Sequence, residues 1–200
     1  MTAGNKDEVK PVLRGTTRQK AVEIAEGLLR EGGYAAMSLD RVAQELGIRS
    51  PSLYHHFPHG KEGLLLAVTQ RRQEIDGQAI SRLITKAHDP VAGLRSVARY
   101  FAAEVGHHPY RAIIASLHAL SPETHAAMQA GFASRVEAPL LGLVRRARSE
   151  GRFGNCDEYL TVRVFLLQMI GLGELVTSKQ GRKMLPDHLV DLFVGGLLPR

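Results

Sequence analysis

Residues 38–58 read SLDRVAQELGIRSPSLYHHFP, and this stretch decides the fold. Apolar residues recur at helical spacing on both sides of Gly47, and a serine precedes each run. Ser38 is predicted to cap one short helix and Ser50 to cap the next, with Pro51 at its first position. Gly47 permits a sharp turn between the two. The stretch therefore predicts two short helices joined at a tight turn.

A helix before this stretch completes a three-helix unit. Residues 17–30 carry an apolar stripe, and Gly32-Gly33 follows it as a stop signal. Val42, Ala43 and Leu53 are predicted to form a small core. The three helices together are typical of a helix-turn-helix.

The outer face of the third helix is the predicted DNA-reading surface. Hydroxyl, phenol and imidazole side chains can meet phosphates and base edges in a major groove. The residues on this face are Ser50, Ser52, Tyr54, His55 and His56. Two amphipathic helices joined at a glycine also occur in helical bundles that do not bind DNA, so the pattern alone leaves that alternative open.

Lys61 adds a second indication of an anionic partner. After the break at residues 58–60, it opens a long helix that is predicted to reach residue 87. A cation in a first turn opposes the helix dipole at a cost of about 0.3–1 kcal/mol, which a docked phosphate would offset. The alternative is a solvated lysine beside Glu62.

Residues 38–58, followed by Gly60-Lys61-Glu62, strongly resemble the DNA-binding region of the TetR family of transcriptional repressors. The resemblance covers about residues 17–70, and Leu-Tyr-His-His-Phe at 53–57 is its most specific part. It implies an all-α subunit of nine helices, a homodimer, a small DNA-binding domain and a larger domain that binds an inducer. Positions where the family touches DNA correspond to Ser38, Ser50, Pro51, Ser52, Tyr54, His55, His56 and Lys61, and Arg49 in the turn completes the predicted DNA-binding set.

The spacing before Lys61 departs from the commonest pattern of that family. Pro-His-Gly separates Phe57 from Lys61, which is one residue more than usual. The longer form is similar to the branch that contains lincomycin-resistance-type repressors. The register of Lys61 against a phosphate is therefore open.

The rest of the chain is also predicted to be helical, which gives an all-α protein of about nine helices. We expect a flexible arm at 1–15, the DNA-binding domain at 16–62 and a dimerisation and ligand-binding domain at 63–200. The later helices are predicted at 89–105, 109–120, 122–149 with a kink at Pro139, 157–178 and 186–198.

Two functional surfaces are expected in the C-terminal region. Glycine inside a helix allows close approach of another helix, which predicts a four-helix dimer interface at Gly171, Gly173, Gly195 and Gly196; ordinary packing within the chain is the alternative. Aromatic and flexible side chains predict an inducer pocket lined by Phe101, His118, Met128, Phe132, Phe165 and Met169. Each of these is equally consistent with simple core.

Composition and motifs limit the other classes of function. The chain has 200 residues, a formal net charge of +6 and one cysteine, Cys156, which excludes an intrachain disulfide framework. Neither an export signal nor a membrane span is apparent, so a cytoplasmic protein is expected. His107, His108, His118 and His125 lack metal-site spacing, so we expect no metal, cofactor or enzymatic activity.

The predicted partners follow from these assignments. They are a palindromic double-stranded DNA operator, a second copy of the chain and a small-molecule inducer, with no membrane. A helical adaptor or small-molecule-binding protein without DNA binding is the alternative. Strong salt dependence of binding would distinguish DNA from protein partners.

Overall fold

A computed structural model describes residues 16–104, 109–175 and 179–198. Within these ranges the chain is helical and has no strand, which confirms the predicted all-α class. The helices are α1 (Thr17–Ala36), α2 (Leu39–Leu46), α3 (Ser50–His56), α4 (Gly60–Lys86), α5 (Pro90–Ala103), α6 (Tyr110–Ser116), α7 (Pro122–Phe132), α8 (Ala138–Ser149), α9 (Glu158–Leu175) and α10 (Lys179–Gly195). A π-helical turn, Ala133–Glu137, makes α7 and α8 one continuous rod, and nine helical rods result within the described ranges.

Local signals position the first three helices. The hydroxyl of Ser38 accepts a hydrogen bond from the Arg41 amide at 3.2 Å, and Gly47 ends α2 with a φ of 69°. The predicted cap at Ser50 is wrong. Arg49 occupies the capping position without a side-chain hydrogen bond, so Ser50 is the first residue of α3 and Pro51 the second. Proline is still tolerated there because amides of the first turn have no helical acceptor.

The first helix stops where the glycine pair predicts. Although helical hydrogen bonding continues to Ala36, Gly32 and Gly33 leave the helical conformation, and Gly33 has a φ of 66°. The chain after this break carries Tyr34 to the start of α4. The break therefore positions an aromatic ring beside Lys61.

The small core beneath α3 has the predicted members. Val42, Ala43 and Leu53 are buried, and Phe57, the first residue after α3, is buried beside them. Ile48 is partly buried against this cluster. Because the apolar side of α3 is fixed inward, its polar side is held outward.

The long helix α4 connects the two halves of the protein. It packs against α1 and α2 in the N-terminal part of the chain and against α5, α7 and α8 in the C-terminal part. Gly77 allows α4 to approach the π-helical turn closely, since a Cβ at this position would lie 2.5 Å from the Arg135 carbonyl oxygen. Any larger residue at position 77 would push the two helices apart.

Around Pro186 and Pro139, the C-terminal helices differ from the sequence predictions. Helix α10 begins at Lys179, seven residues before the predicted start at Pro186, which lies inside the helix. The other proline, Pro139, follows the π-helical turn within the predicted 122–149 helix, and the irregularity there precedes the proline. No described helix is long and apolar enough to cross a membrane.

Candidate nucleic-acid interface and ligand cavity

Helix α3 presents a polar face to solvent. Leu53 and Phe57 are buried on one side, whereas Tyr54 on the other side is 50% exposed. His55 and His56 share this exposure. One side of α3 therefore packs into the core and the other faces solvent, and the helix is short enough to lie in a DNA groove.

Lys61 lies beside this helix in the first turn of α4. Its ammonium nitrogen is 4.2 Å from the centroid of the Tyr34 ring, a cation–π contact that fixes its direction. The additional residue before Lys61 is accommodated by a tight turn, in which the Gly60 amide donates to the Phe57 carbonyl oxygen at 2.9 Å. Burial raises the pKa of Tyr34, and the nearby Glu62 adds to this effect.

Arg18 is a further cation near α3 that sequence analysis missed. Its guanidinium lies 5.4 Å from the centroid of the Phe57 ring. Arg18 is exposed in the first turn of α1, where a positive charge again opposes the helix dipole. The same signal that singled out Lys61 could therefore have identified it.

Glu62 connects the start of α4 with the start of α7. Its Oε2 accepts hydrogen bonds from the Ser121 hydroxyl at 2.7 Å and the Thr124 hydroxyl at 2.8 Å. The Ser121 amide adds contacts of 3.2 and 3.3 Å. These donors, the Ser121 hydroxyl foremost, hold the pKa of Glu62 below its ordinary value. The carboxylate therefore stays charged at neutral pH, and the stability from this link is lost only as the pH falls through the lowered pKa.

A cavity of about 400 Å³ lies between α4, α6, α7 and α9. Most of its wall is apolar, and its size is that of a small-molecule site. The lining residues are Thr69, Gln73, Tyr110, Ile113, Ile114, Leu117, His125, Met128, Gln129, Phe132, Glu137, Arg163, Leu166, Leu167 and Ile170.

Gln73 and Glu137 are among the buried polar side chains that line the cavity. The Gln73 amide donates to the Met128 carbonyl oxygen at 2.9 Å, and Gly131 makes room for the same amide. Glu137 accepts from Arg163 Nε at 3.0 Å through Oε1. The second oxygen of Glu137 and the oxygen of Gln73 find no hydrogen-bond donor among the described residues. An unsatisfied buried polar atom costs about 1–3 kcal/mol, so these atoms are potential ligand contacts.

Comparison with known proteins finds a family match for the helices that carry this geometry. Residues 22–68, which run from α1 into α4, match the family described as bacterial regulatory proteins, tetR family. The helix-turn-helix of this chain is of the TetR-family type. This confirms the resemblance seen in the sequence, which falls on the same N-terminal part of the chain.

Individual relatives agree with this assignment. The uncharacterized HTH-type transcriptional regulator YxaF of Bacillus subtilis is 31% identical over 46% of this chain and 48% of its own length. LmrA, an HTH-type transcriptional regulator of the same species, is 29% identical over 45% and 48%. The chain thus spans about half the length of these relatives. The TetR-family regulator PfmR of Thermus thermophilus superposes with a TM-score of 0.70 at 25% identity, covering 88% of this chain and 97% of that one.

The predicted DNA-binding residues lie on α3 and at the helix ends that precede and follow it. Ser38 is half-buried because it caps α2, and Ser50 is half-buried at the start of α3. The exposed members are Arg49, Pro51, Ser52, Tyr54, His55 and His56. Lys61 is half-buried on Tyr34. The structure thus gathers the predicted residues around α3, with Ser38 already engaged in a structural hydrogen bond.

The predicted pocket residues divide into three groups. Met128 and Phe132 line the cavity. Phe101, Phe165 and Met169 are buried in the core instead, and they are absent from its lining. His118 is exposed on the 3-10 turn Leu117–Ala119. Composition alone could not separate these groups because both a core and a pocket select large apolar side chains.

Of the predicted interface glycines, Gly171 and Gly173 lie on α9, and Gly195 and Gly196 lie at the end of α10. Gly171 and Gly195 have open space around them, whereas Gly196 is close only to its own helix end. Gly173 lies within α9, but its surroundings are outside the described residues. Exposed apolar side chains flank these positions: Leu160, Val164 and Leu167 on α9, and Met184 and Leu192 on α10. We call these five residues the α9–α10 face.

The comparisons give no support to an enzymatic function. TetR-family regulators are DNA-binding transcription factors, and the matched relatives are regulators by description. In the described part of the chain, no three histidine, cysteine, aspartate or glutamate residues cluster as a metal site would require. His107 and His108 lie outside that part. Cys156 is a half-buried free thiol.

Proposed function

We propose that this protein is a homodimeric transcriptional repressor, released from a palindromic operator when a small molecule occupies the cavity. The observation that carries the proposal is the two-sided α3, with Leu53 anchored inward and Tyr54 exposed. We assign DNA binding to residues 16–62 and dimerisation and ligand binding to residues 63–200, and we expect a cytoplasmic location. The predicted arm at 1–15 lies outside the described residues.

The α9–α10 face supports the proposed dimer. Leu160, Val164, Leu167 and Gly171 recur at intervals of four, three and four residues, which places them along one side of α9. Contiguous exposed apolar side chains of this kind mark an interaction site. A dimer through this face would hold two copies of α3 at a fixed separation, and adjacent major-groove half-sites require about 34–36 Å.

Glu62 supports a route from the cavity to the DNA-binding surface. Glu62 lies in the first turn of α4 and accepts a hydrogen bond from Ser121 at the start of α7. Met128 and Phe132, later in α7, line the cavity. A ligand that shifts α7 would therefore act on the turn of α4 that carries Lys61. Release follows if the ligand-bound geometry and the DNA-bound geometry are incompatible.

Replacement of Lys61 or Tyr54 by alanine tests the proposed DNA surface. A palindrome is first selected from random DNA, and affinity is measured by fluorescence anisotropy over a range of salt concentrations. Lys61→Ala should weaken binding to all DNA and lower the salt slope by about 0.9, because one phosphate contact is lost. Tyr54→Ala should weaken binding to the palindrome more than binding to unrelated DNA.

Lys86→Ala is the matched control, because Lys86 is an exposed lysine at the opposite end of α4. Its salt slope should equal that of the unchanged protein. If Tyr54→Ala and Lys61→Ala both bind the palindrome as the unchanged protein does, this surface is not the DNA interface. A binding activity without steep salt dependence would favour the adaptor alternative.

Replacement of Glu62 by alanine tests the proposed route. Coupling is reciprocal, so operator DNA should slow amide hydrogen exchange in α7 of the unchanged protein by several-fold. In Glu62→Ala this DNA-dependent protection should disappear. Glu123→Ala, which alters an exposed acid in the first turn of α7, should retain it. Equal protection in Glu62→Ala and the control would refute the route.

A further inference from the structure

We infer that the cavity selects an apolar molecule that carries a protonated amine, held by the Glu137 carboxylate. This inference rests on the proposed function for its regulatory meaning, but it concerns the chemistry of the cavity alone. The observations that support it are the burial of one acid, the position of its partner and the composition of the wall.

The first observation is the incomplete pairing of Glu137. Its side chain is only 3% exposed, and one oxygen, Oε1, accepts from Arg163 Nε. The other oxygen, Oε2, is buried and has no donor in the described ranges. A buried carboxylate oxygen without a donor is strongly unfavourable, so a ligand that supplies an N–H group is favoured there.

The second observation is the unequal exposure of the ion pair. The Arg163 side chain is 53% exposed, and water therefore screens its charge. Its Nη2 donates to the Tyr159 hydroxyl at 2.6 Å, and its guanidinium lies 4.3 Å from the centroid of that ring. Arg163 also borders the cavity, but these contacts hold its guanidinium on the solvent-exposed Tyr159, whereas Glu137 is buried. The interior of the cavity is consequently more favourable to a cation than to an anion.

The third observation is the wall around the acid. Ile113, Phe132, Leu166 and Ile170 provide an apolar surface for the body of the ligand. Gln73 adds a second buried oxygen without a donor on the same wall, because its amide nitrogen is used by the Met128 carbonyl. The wall thus combines apolar surface with buried acceptors. An amine on an aromatic or branched hydrocarbon matches both.

The inference is tested with three compounds of one skeleton: 4-phenylbutylamine, 4-phenylbutan-1-ol and 4-phenylbutanoate. Binding of each to the full-length protein is measured without DNA, at neutral pH, by isothermal titration. An alkylamine is protonated at this pH. We expect the amine to bind at least about tenfold tighter than the alcohol, and the carboxylate to bind most weakly, because only the amine offers charged donors to Glu137.

Glu137→Gln, which removes the charge but keeps the shape, identifies the responsible group. In this variant the ratio of amine to alcohol affinity should fall to about one. Glu150→Gln is the matched control, since Glu150 is an exposed acid paired with Arg146 outside the cavity wall. It should leave the ratio unchanged. If Glu137→Gln does not fold, the order of the three affinities for the unchanged protein still tests the inference.

Several outcomes would overturn the inference. They are equal binding of amine and alcohol, tightest binding of the carboxylate, binding by none of the three, and an equal loss of selectivity in Glu150→Gln. Operator release is measured separately, by adding the amine to the protein–DNA complex. Selective amine binding without DNA release would contradict the proposed function alone, and salt-sensitive operator binding without amine selectivity would contradict this inference alone.

Discussion

Replacing Asp76 with alanine should lower the free energy of unfolding by about 3–5 kcal/mol, because it removes the hydrogen-bonded counter-ion of the buried Arg72 guanidinium. Asp76 is fully buried in α4 and accepts hydrogen bonds from Arg72 at 3.0 and 2.5 Å. The Tyr100 hydroxyl on α5 donates to the same carboxylate at 2.6 Å. Burial, followed by this hydrogen bond, raises the pKa of Tyr100 above its ordinary value. The network therefore connects α4 with α5 inside the core.

The measurement is urea unfolding followed by circular dichroism at one protein concentration, since association would change apparent stability. Asp191→Ala is the control, because Asp191 pairs with Arg95 on the exposed side of α10. Surface ion pairs contribute about 0–1 kcal/mol to stability. Asp191→Ala should therefore change the free energy of unfolding little. A similar decrease in the free energy of unfolding in the two variants would show that the buried network stabilises the protein no more than a surface ion pair does.

Replacing Leu192 with glutamate should dissociate the proposed dimer and weaken operator binding by about 100-fold or more. Leu192 is 64% exposed on α10 and does not line the cavity. A charge there would be buried without a partner on association. A single subunit would then bind only one half-site and lose the gain from the second, which is typically about 10²–10⁴.

Analytical ultracentrifugation gives the mass, and anisotropy with the selected palindrome gives the affinity. Ile75→Glu serves as the control because it places the same charge at an exposed apolar position on α4 instead. This control should remain a dimer and bind DNA normally. A Leu192→Glu protein that keeps both the dimeric mass and the affinity would exclude the α9–α10 face as the interface.

The helix-turn-helix was predictable from the sequence because its determinants are local. Ser38, Gly47 and Leu53 act within a few residues of their own positions, and the structure uses each as predicted. Ser50 was predicted wrongly for an equally local reason. Serine is a good cap, but the residue before a helix is defined by the backbone, and here that residue is Arg49.

The cavity could not be predicted in this way because its polar groups come from separate helices. Gln73 lies on α4, Glu137 on the π-helical turn and Arg163 on α9, and nothing in their local sequence indicates that they meet. The α10 start was predicted wrongly because proline is normally found in the first turn of a helix, whereas this helix contains Pro186 after two turns. Tertiary packing decides such cases.

Lys61 and Glu62 are consecutive residues that contact different parts of the molecule. The ammonium group lies on Tyr34 beside α3, whereas the neighbouring carboxylate is bonded to Ser121 and Thr124. A hybrid protein that joins the helix-turn-helix of one relative to the C-terminal helices of another must therefore keep Glu62 together with Ser121 and Thr124 from the same parent. Ser121 lies more than fifty residues after Glu62 in the sequence. A hybrid made with one crossover between these two positions would therefore take Glu62 from one parent and its hydroxyl partners from the other.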